Sequence, residues 1–542
     1  MPSTPTTKSQ VQAYQFVLRR MQSALVRKDA VMLHDPMRTH SRATAVGVVL
    51  SVLGMLGFII FGLFKPAPQA PGPGSIVIGE QSGSMYVVAG EPKKLIPTFN
   101  LASARLLLLA QQDQAAQGGA GGGQNAAPAG GQVEVVEPQV VPDDQLKDIP
   151  KGRLHGIPDA PGLLPKKEQR ISDDWAVCDE IGLDHSLPDP TSINQNETTV
   201  FGGVQDLGQE LAPDSALLVT ADNGSTYLVY RQVDNPNRPN ADTVRAKVDL
   251  TQASVVRALG LDVKPRHISM GLLNAIPEVT EIKAPVIEGA NESSTFNLSG
   301  LRVGDVFSTV RAGAAEEYWV ITRHGIQRVP RAVADLIRFH RTGQPAGITQ
   351  VRPDRLQNVP VLHPGQPGYL PVDDYPQIVP HILDPVRYPV TCLGWSLVGE
   401  GANRDGQTKV YYGAELPGPK NEQGESVAVQ VGQASPDGMK VDRFYMRPNF
   451  AAVVRSATSK ETFDKGPIQL ISDRGIRYGV KDLRTAQALG LGEQSPAPES
   501  IIRLLPAGAS LNTQDVMRTF DSVPVDPRAG TFQPPQPQAA GN

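Results

Sequence analysis

An uninterrupted apolar segment at residues 43–64, ATAVGVVLSVLGMLGFIIFGLF, constrains the architecture of this chain more than any other feature. It contains 22 residues and no charged side chain. As an α-helix rising ~1.5 Å per residue it would be about 33 Å long, which matches the ~30 Å hydrocarbon core of a bilayer. The alternative, a buried helix of a globular domain, would need flanks with ordinary globular sequence. The segment therefore predicts a transmembrane helix.

The two flanks of the apolar segment differ in charge and composition. Residues 1–42 carry seven basic and two acidic side chains, whereas acidic side chains predominate in the rest of the chain. Lys65 is followed by PAPQAPGPG, which cannot continue a helix. A cleaved signal peptide has an apolar core of only ~7–15 residues and a small-residue cleavage motif, and neither matches this segment. We expect an uncleaved anchor with a cytoplasmic N-terminus and about 480 residues outside.

Both cysteines of the chain, Cys178 and Cys392, follow the predicted anchor. In an oxidising compartment, two cysteines of one ectodomain are more often paired than free. Free structural thiols are the alternative. A bond between them would bring together segments that are far apart in sequence, so the pairing predicts one central body.

The region before the anchor carries an apolar stripe with helical spacing. Large apolar residues recur at three- and four-residue steps, and most basic residues fall off the stripe. The stripe consists of Val11, Tyr14, Leu18, Met21 and Leu25. Such a helix either lies on anionic lipid or docks on a cytosolic partner, and the sequence favours neither over the other. Within the anchor, Ala43, Gly47 and Ser51 follow at four-residue steps and form a face small enough for close helix packing.

Beyond the anchor, four segments share one internal order: an aromatic strand start, a short helix, and a second helix that ends at an apolar residue and a proline. They begin at Tyr86, Tyr227, Tyr318 and Tyr478 and end at Pro150, Pro277, Pro360 and Pro506. The tetrapeptide ALGL occurs in two of them, at residues 258–261 and 488–491. Strand-like runs bounded by Gly, Asp and Pro lie between the segments. We expect an α+β protein with a central β-rich body and four small β/α repeat modules, closed by a disulfide.

The boundaries of these parts follow from the same patterns. A Gly-, Gln- and Ala-rich stretch at residues 111–132 and the Pro-rich tail are expected to be disordered. The predicted parts are a cytoplasmic helix and basic segment at 1–42, the transmembrane helix at 43–64, a Pro/Gly linker at 65–81, repeat modules at 82–161, 223–288, 315–365 and 474–512, parts of the central body at 162–222, 289–314 and 366–473, and a C-terminal segment at 513–542.

Sequence signatures of catalysis and of nucleic-acid binding are absent. The net charge of −4 argues against the basic footprint of a nucleic-acid-binding protein. The chain has no Gly-Lys dipeptide and hence no P-loop, no His-Glu pair to begin an H-E-x-x-H zinc site, and no G-x-S-x-G nucleophile elbow. We therefore expect no catalytic residue, no cofactor, no metal site and no nucleic-acid partner.

Two stretches, DPMRTHSRA at residues 35–43 and WAVCD at residues 175–179, carry the most specific resemblance to a known family. Together with the cytoplasmic helix, the single anchor, the ALGL and L-x-x-I-P motifs and the two cysteines, they resemble EccB. EccB is the core membrane component of mycobacterial and actinobacterial type VII (ESX) secretion systems. The resemblance covers nearly the whole chain apart from 111–132 and the tail. It implies a periplasmic domain with a central β-rich body and four repeat modules, closed by a disulfide.

The resemblance also implies partners in a hexameric inner-membrane complex. These are the FtsK-like ATPase EccC, the multi-span channel component EccD, the membrane component EccE and further copies of the chain, with the mycosin protease as an additional candidate. The leading hypothesis is a structural component of the secretion complex. Some relatives are labelled ATPases, so ATP hydrolysis is the alternative, and a cell-wall-binding module is a third hypothesis.

Overall fold

The computed structural model of the chain describes residues 7–28, 36–63, 71–90, 92–118, 134–193, 195–232, 243–296, 298, 300–342, 347–432, 439 and 441–520. The chain divides into two compact units, Met1–Pro71 and Gly72–Asn542. The first unit contains two helices, α1 (Lys8–Arg27) and α2 (Pro36–Leu63). In the described part of the chain, one helical stretch is long and apolar enough to cross a membrane, His40–Gly62 of α2. This stretch coincides with the predicted anchor.

The second unit is a mixed α+β structure dominated by strands. The strands in its first half are β1 (Ile76–Gly79), β2 (Met85–Ala89), β3 (Lys94–Thr98), β4 (Pro138–Val141), β5 (Trp175–Ile181), β6 (Asn196–Gly202), β7 (Gln209–Glu210), β8 (Ser215–Ala221), β9 (Thr226–Arg231), β10 (Thr243–Val248), β11 (Arg266–Ile268) and β12 (Glu278–Ile282). Those in its second half are β13 (Val306–Thr309), β14 (Glu317–Ile321), β15 (Ile326–Val329), β16 (Thr349–Gln350), β17 (His381–Ile382), β18 (Val390–Val398), β19 (Asp405–Gly413), β20 (Val429–Gln430), β21 (Arg443–Met446), β22 (Ala451–Ala457), β23 (Ile468–Ser472), β24 (Arg477–Val480) and β25 (Ser495–Pro498). The helices are α3 (Leu101–Gly118), α4 (Ala253–Leu259), α5 (Met270–Ala275), α6 (Arg331–Thr342), α7 (Leu483–Leu489) and α8 (Glu499–Ile502).

The largest sheet has seven strands in the order β20-β21-β6-β5-β18-β19-β7. Its middle strand β5 has the sequence WAVCDEI and is buried on both faces along most of its length. A strand covered on both faces needs a nearly continuous apolar run rather than an alternating one. We refer to this seven-stranded sheet as the central sheet of the second unit.

The second unit contains four smaller sheets that share a strand order. The first, third and fourth have the orders β3-β2-β1-β4, β15-β14-β13-β16 and β24-β23-β22-β25. In each, three antiparallel strands are followed by a helix and by a fourth strand parallel to the first. The second sheet repeats this pattern in β8-β9-β10 and β11, and adds β12 and β17.

Helices of different sheets share their apolar cores. Leu106 and Leu107 on α3 lie in one buried cluster with Leu489 on α7, so the first and fourth sheets share a core. Val255 on α4 and Val333 on α6 lie in another, which the second and third sheets share. Burying such helix faces against each other provides most of the stability of helices this short.

Two elements extend beyond the limits expected from the sequence. β22 pairs with β23, and β23 pairs with β24, so the fourth sheet begins at Ala451, well before residue 474. α3 continues to Gly118, into the stretch 111–132 that was expected to be disordered. The residues of this extension include Asp113, whose carboxylate lies 2.8 Å from Arg484. Residues 119–133 and residues 521–542, which include the Pro-rich tail from Pro524, lie outside the described residues.

Candidate functional site

The predicted docking stripe lies on a single exposed helix. α1 begins after Thr7, whose backbone N–H donates to Gln10 Oε1 at 3.0 Å, a contact typical of a helix N-terminus. The exposed fractions along the stripe are 43% for Val11, 67% for Tyr14, 38% for Leu18, 52% for Met21 and 81% for Leu25. The structure thus brings all five residues onto one helix and covers none of them. Their docking role remains a prediction.

Val17 widens this stripe and was missed by the sequence analysis. It is 50% exposed and stands three positions after Tyr14 and four before Met21. The same spacing rule that found the other residues would have included it. α1 has no buried residue in this structure, so the apolar surface remains open along the whole helix.

The predicted packing face on the anchor also lies on one helix. Ala43, Gly47 and Ser51 all belong to α2 and are exposed. A methyl group added at Gly47 would meet no atom within 4 Å. The packing role of this face remains a prediction.

The two cysteines form a disulfide in the central sheet. Cys178 on β5 and Cys392 on β18 are directly opposite each other in adjacent antiparallel strands, with Cα atoms 3.9 Å apart. Both are fully buried. The bond joins strands that are 214 positions apart in the chain, so the predicted pairing is confirmed.

A buried polar cluster follows Cys178. Asp179 accepts hydrogen bonds from the Thr198 hydroxyl at 2.8 Å, from the Ser269 backbone N–H at 2.7 Å and from the Ser269 hydroxyl at 2.8 Å. Burial raises the pKa of the Asp179 carboxyl, and the hydrogen bonds from Ser269 oppose this rise. Because Ser269 also caps α5 through the Leu272 N–H, the cluster ties the second sheet to the central one.

Arg266 fixes the start of β18 beside this cluster. Its guanidinium donates to the backbone carbonyls of Tyr388 at 2.9 Å and Pro389 at 2.7 Å. Burial lowers the pKa of Arg266 to about 10, while the nearby Asp179 carboxylate raises it. Sequence analysis assigned no role to either residue, because their partners come from distant segments. Asp179 was noted only as the last residue of the WAVCD stretch.

These arrangements hold distant segments of the chain together. Asp179 and Arg266 direct their polar atoms at protein groups that form the frame of the central sheet. Over the residues that the structure describes, no group of three His, Cys, Asp or Glu side chains is arranged to bind a metal ion. The apolar faces of α1 and α2 are exposed in this structure.

The chain is similar over its whole length to proteins of known family. An ESX-3 secretion system ATPase EccB3 of Mycolicibacterium smegmatis is 28% identical and aligns over 97% of this chain and 93% of its own length. An ESX-2 secretion system ATPase EccB2 of Mycobacterium tuberculosis is 29% identical, over 97% of each chain.

Solved structures show the same fold. A chain of an intact ESX-5 inner membrane complex superposes with a TM-score of 0.65 over 99% of both chains, at 25% identity. A chain of an EccB3 dimer from the ESX-3 core complex superposes with a TM-score of 0.62, over 82% of this chain and 100% of that chain, at 24% identity. The family model described as "Type VII secretion system ESX-1, transport TM domain B" matches residues 3–525. The chain therefore belongs to this family, the EccB family of type VII secretion systems, as its sequence motifs predicted.

Proposed function

We propose that this chain is a structural subunit of a type VII (ESX) inner-membrane secretion complex. The observation that carries the proposal is the similarity to a chain of an intact ESX-5 inner membrane complex over 99% of both chains. The fold agrees with this role, because the buried Asp179 carboxylate serves packing and most of the exposed large apolar side chains of the described residues lie on helices of the first unit. The chain would anchor the complex, form part of its body and contribute to protein export without chemistry of its own.

The proposed placement is an N-terminus in the cytoplasm and a second unit in the periplasm. The excess of basic residues before α2 supports this orientation. The similarity to a chain from a periplasmic assembly of the ESX-5 inner membrane complex, over 86% of this chain, supports the placement of the second unit. A disulfide inside the central sheet is also expected of an oxidising compartment.

The second unit is proposed to consist of a central β-rich body and four copies of one module. Support comes from the shared strand order of the four smaller sheets. In each sheet the helix that follows the third strand is the one that packs on a second sheet: α3 against α7, and α4 against α6. Four copies of one unit that bury equivalent helices against each other would produce this arrangement.

The proposed partners are EccC, EccD, EccE and further copies of this chain, with the mycosin protease as an additional candidate. The stripe of Val11, Tyr14, Leu18, Met21 and Leu25 would dock on a partner, and the Ala43, Gly47 and Ser51 face would pack against a neighbouring membrane helix. Exposure of the stripe supports the first assignment, and the open space at Gly47 supports the second.

Extraction of the native membrane in mild detergent tests the function. We expect an affinity-tagged copy of the chain to co-purify with EccC, EccD and EccE homologues, which mass spectrometry would identify. Recovery of the tagged chain alone, under conditions that preserve another known membrane complex of the same cell, would contradict the proposal.

ATP hydrolysis is tested on the same preparation, because the relatives' names include the word ATPase. The sequence has no P-loop, so we expect the purified chain to release no phosphate from ATP beyond that released by a mock purification. Release that follows the chain through a second chromatographic step would favour the enzyme instead.

A further inference from the structure

The helices of the four smaller sheets connect these sheets in a fixed series. α3 of the first sheet packs against α7 of the fourth, α8 of the fourth packs against α5 of the second, and α4 of the second packs against α6 of the third. Over the described residues, no buried apolar cluster contains members of both the first and the third sheet. The first and third sheets are therefore the two ends of the series.

Each end sheet has a face that does not pack on its helix. In the first sheet, Ile96 lies in the core shared with α3, whereas Leu95 lies in a separate buried cluster with Leu146. In the third sheet, Ile326 likewise lies in a cluster apart from α6, and Leu356 packs against that cluster. Leu146 and Leu356 belong to equivalent segments, 142–150 and 351–360, each of which follows the fourth strand of its sheet. These two segments therefore cover the outer faces of the series.

The two end sheets have opposite net charge. Residues 72–161 carry six basic and nine acidic side chains, a net charge of −3, whereas residues 301–360 carry nine arginines, no lysine and five acidic side chains, a net charge of +4. The covering segments follow the same trend. Segment 142–150 has three aspartates and one lysine, and segment 351–360 has two arginines and one aspartate. The series therefore has one acidic and one basic end.

The charged groups of both covering segments are accessible to a partner. At the acidic end, the Asp144 side chain is 90% exposed and its carboxylate lies 3.6 Å from the Lys147 ammonium. At the basic end, the Arg352 side chain is 75% exposed and its guanidinium lies 3.3 Å from the Asp354 carboxylate. Ion pairs between exposed groups are worth little in water. These local pairs therefore leave both ends free to meet an opposite charge.

Two further arginines enlarge the basic end. Arg328 is directly opposite Trp319 on the neighbouring strand, and Trp319 belongs to the buried cluster of the outer face. Arg311 and Arg328 lie 3.9 Å and 3.7 Å from the carboxylate of the same residue, Glu317. Both distances exceed the length of a hydrogen bond. One carboxylate balances only one of the two guanidinium groups, so a positive charge remains beside the segment 351–360.

A second copy of the chain is the partner that fits both ends, because each end supplies the charge that the other lacks. The series separates the two ends within one chain, so the match has to be made between copies. Complementary charge orients two protein surfaces as they meet, and a contact between two different surfaces is head-to-tail. We propose that copies of this chain associate head to tail, with the basic outer face of the third sheet of one copy on the acidic outer face of the first sheet of the next. This inference rests on the proposed role as a subunit of a complex with several copies.

Charge reversal tests the contact on the full-length chain, purified alone in mild detergent. Arg352→Glu with Arg355→Glu reverses the basic end, and Asp144→Lys with Asp148→Lys reverses the acidic end. We expect each pair of substitutions to weaken self-association at least about tenfold, measured by sedimentation velocity at low salt. A chain with all four substitutions again has opposite ends, and should recover to within about threefold of the wild type. Association of the wild type should weaken when the salt concentration rises from about 0.05 to 0.5 M.

Lys460→Glu with Lys465→Glu is the matched control. Both lysines are exposed and lie between β22 and β23 of the fourth sheet, away from both ends of the series. The control makes the same change in net charge as the reversal of the basic end, and should leave association unchanged. Melting temperatures equal to that of the wild type would show that each variant keeps its fold.

Four results would overturn the proposal: no self-association of the wild type at low salt, wild-type association after reversal of either end, no recovery in the chain with all four substitutions, or an equal loss in the lysine control. All of these measurements use the chain without its partners. A negative result would therefore leave co-purification with EccC, EccD and EccE homologues, and with it the proposed function, as a separate question.

Discussion

Asp179 is a buried carboxyl in the central sheet, and burial raises its pKa. Its carboxyl is 1% exposed and depends on donors from two other segments, at Thr198 and Ser269. Its neighbour Cys178 reaches across to Cys392. Adjacent positions of one strand therefore hold a covalent cross-link inside the central sheet and a polar link from that sheet to the residue that caps α5. This concentration makes the strand β5 the point at which substitutions should have the largest effect.

The acidity of Asp179 yields a prediction about stability against pH. A carboxyl whose pKa is raised on folding binds a proton in the folded state at pH values where the unfolded chain has released it. Its contribution therefore favours folding as the pH falls from neutrality towards the pKa of the unfolded state, and becomes less favourable as the pH rises. Asp179→Asn removes this titration. We expect the difference in melting temperature between wild type and Asp179→Asn to change between pH 4 and 7, with the wild type gaining relative stability at the acid end.

Thr198→Val with Ser269→Ala is the matched comparison for that experiment. It removes hydroxyl donors to Asp179 but keeps the carboxyl. The carboxyl should therefore still titrate in this variant. Because these donors lower its pKa, the pH-dependent change in melting temperature should occur at higher pH than in the wild type. A melting difference for Asp179→Asn that is constant across this range would show that the carboxyl keeps one charge state throughout.

The disulfide yields a second prediction at this scale. Replacing Cys178 and Cys392 by alanine removes a cross-link that closes a loop of 214 positions. Chain-entropy arguments assign about 5 kcal/mol to a loop of this size. We expect the double variant to unfold at clearly lower denaturant concentration, measured on non-reduced protein, and reduction of the wild type to have the same effect. Coincident unfolding curves for oxidised and reduced wild type would contradict this.

The roles of some single residues could be predicted from the sequence, and those of others could not. The Cys178–Cys392 pair was predictable because the chain contains only two cysteines. The role of Asp179 was not, since its partners stand 19 and 90 positions away and each is an ordinary strand or cap residue. A buried polar cluster assembled from distant segments leaves no periodic signal in any one of them.

Among the elements, α1 and α2 were the most predictable. Their signals are local: an apolar stripe at helical spacing for α1 and a long uncharged run for α2. The strand β22 was not assigned to the fourth sheet, because its place depends on pairing with β25, about 40 positions later. The end of α3 was also not predicted. Its Gln- and Ala-rich run has no apolar pattern in the sequence, but the run is helical as far as Gly118.

The stripe on α1 yields the prediction at the scale of elements. Replacing Tyr14, Leu18 and Met21 together by Asp puts three charges on an apolar face, where each buried large side chain is worth ~1.5–3 kcal/mol. We expect the variant to insert in the membrane, since α2 is unchanged, but to lose its partner components during mild extraction and to lower secretion. Co-purification and a secretion assay measure the two effects.

Ser9, Gln12 and Ser23 provide the control for this experiment. They lie on the opposite side of α1, so the same three Asp substitutions there add equal charge without touching the stripe. Normal assembly by both variants would exclude α1 as a docking element. Loss of assembly by both would indicate that charge, rather than the stripe, is responsible.

At the scale of the whole molecule, the second unit is organised by shared cores. The first sheet lies near the start of the unit and the fourth near its end, yet residues from 76 to 110 and from 451 to 517 lie in one apolar cluster. Sequence patterns indicated four similar segments but could not indicate which of them would share a core. Which two sheets share a core depends on which helix faces pack together, and this packing is determined only in the complete fold.

This arrangement predicts the effect of truncation. A chain that ends after Asn449 lacks the fourth sheet and exposes Leu106 and Leu107 of the first. The free energy lost with this apolar contact should exceed the ~5–15 kcal/mol by which a domain is typically stable. We expect limited proteolysis to cleave this variant within residues 76–118, while a chain that ends after Phe520 retains every member of the cluster and resists cleavage there. Equal resistance of both variants would show that the first sheet is stable alone.

The shared core also sets an order of events during synthesis. The ribosome produces the first sheet early, but the apolar surface that covers α3 is encoded more than 300 residues later in the fourth sheet. At ~5–20 residues per second this surface remains uncovered for tens of seconds. Cys178 likewise has to wait for Cys392 before the bond can form. The nascent chain therefore passes through a long interval in which its earliest domain is complete in sequence and incomplete in structure, and an export or folding factor that protects apolar helices would act during that interval.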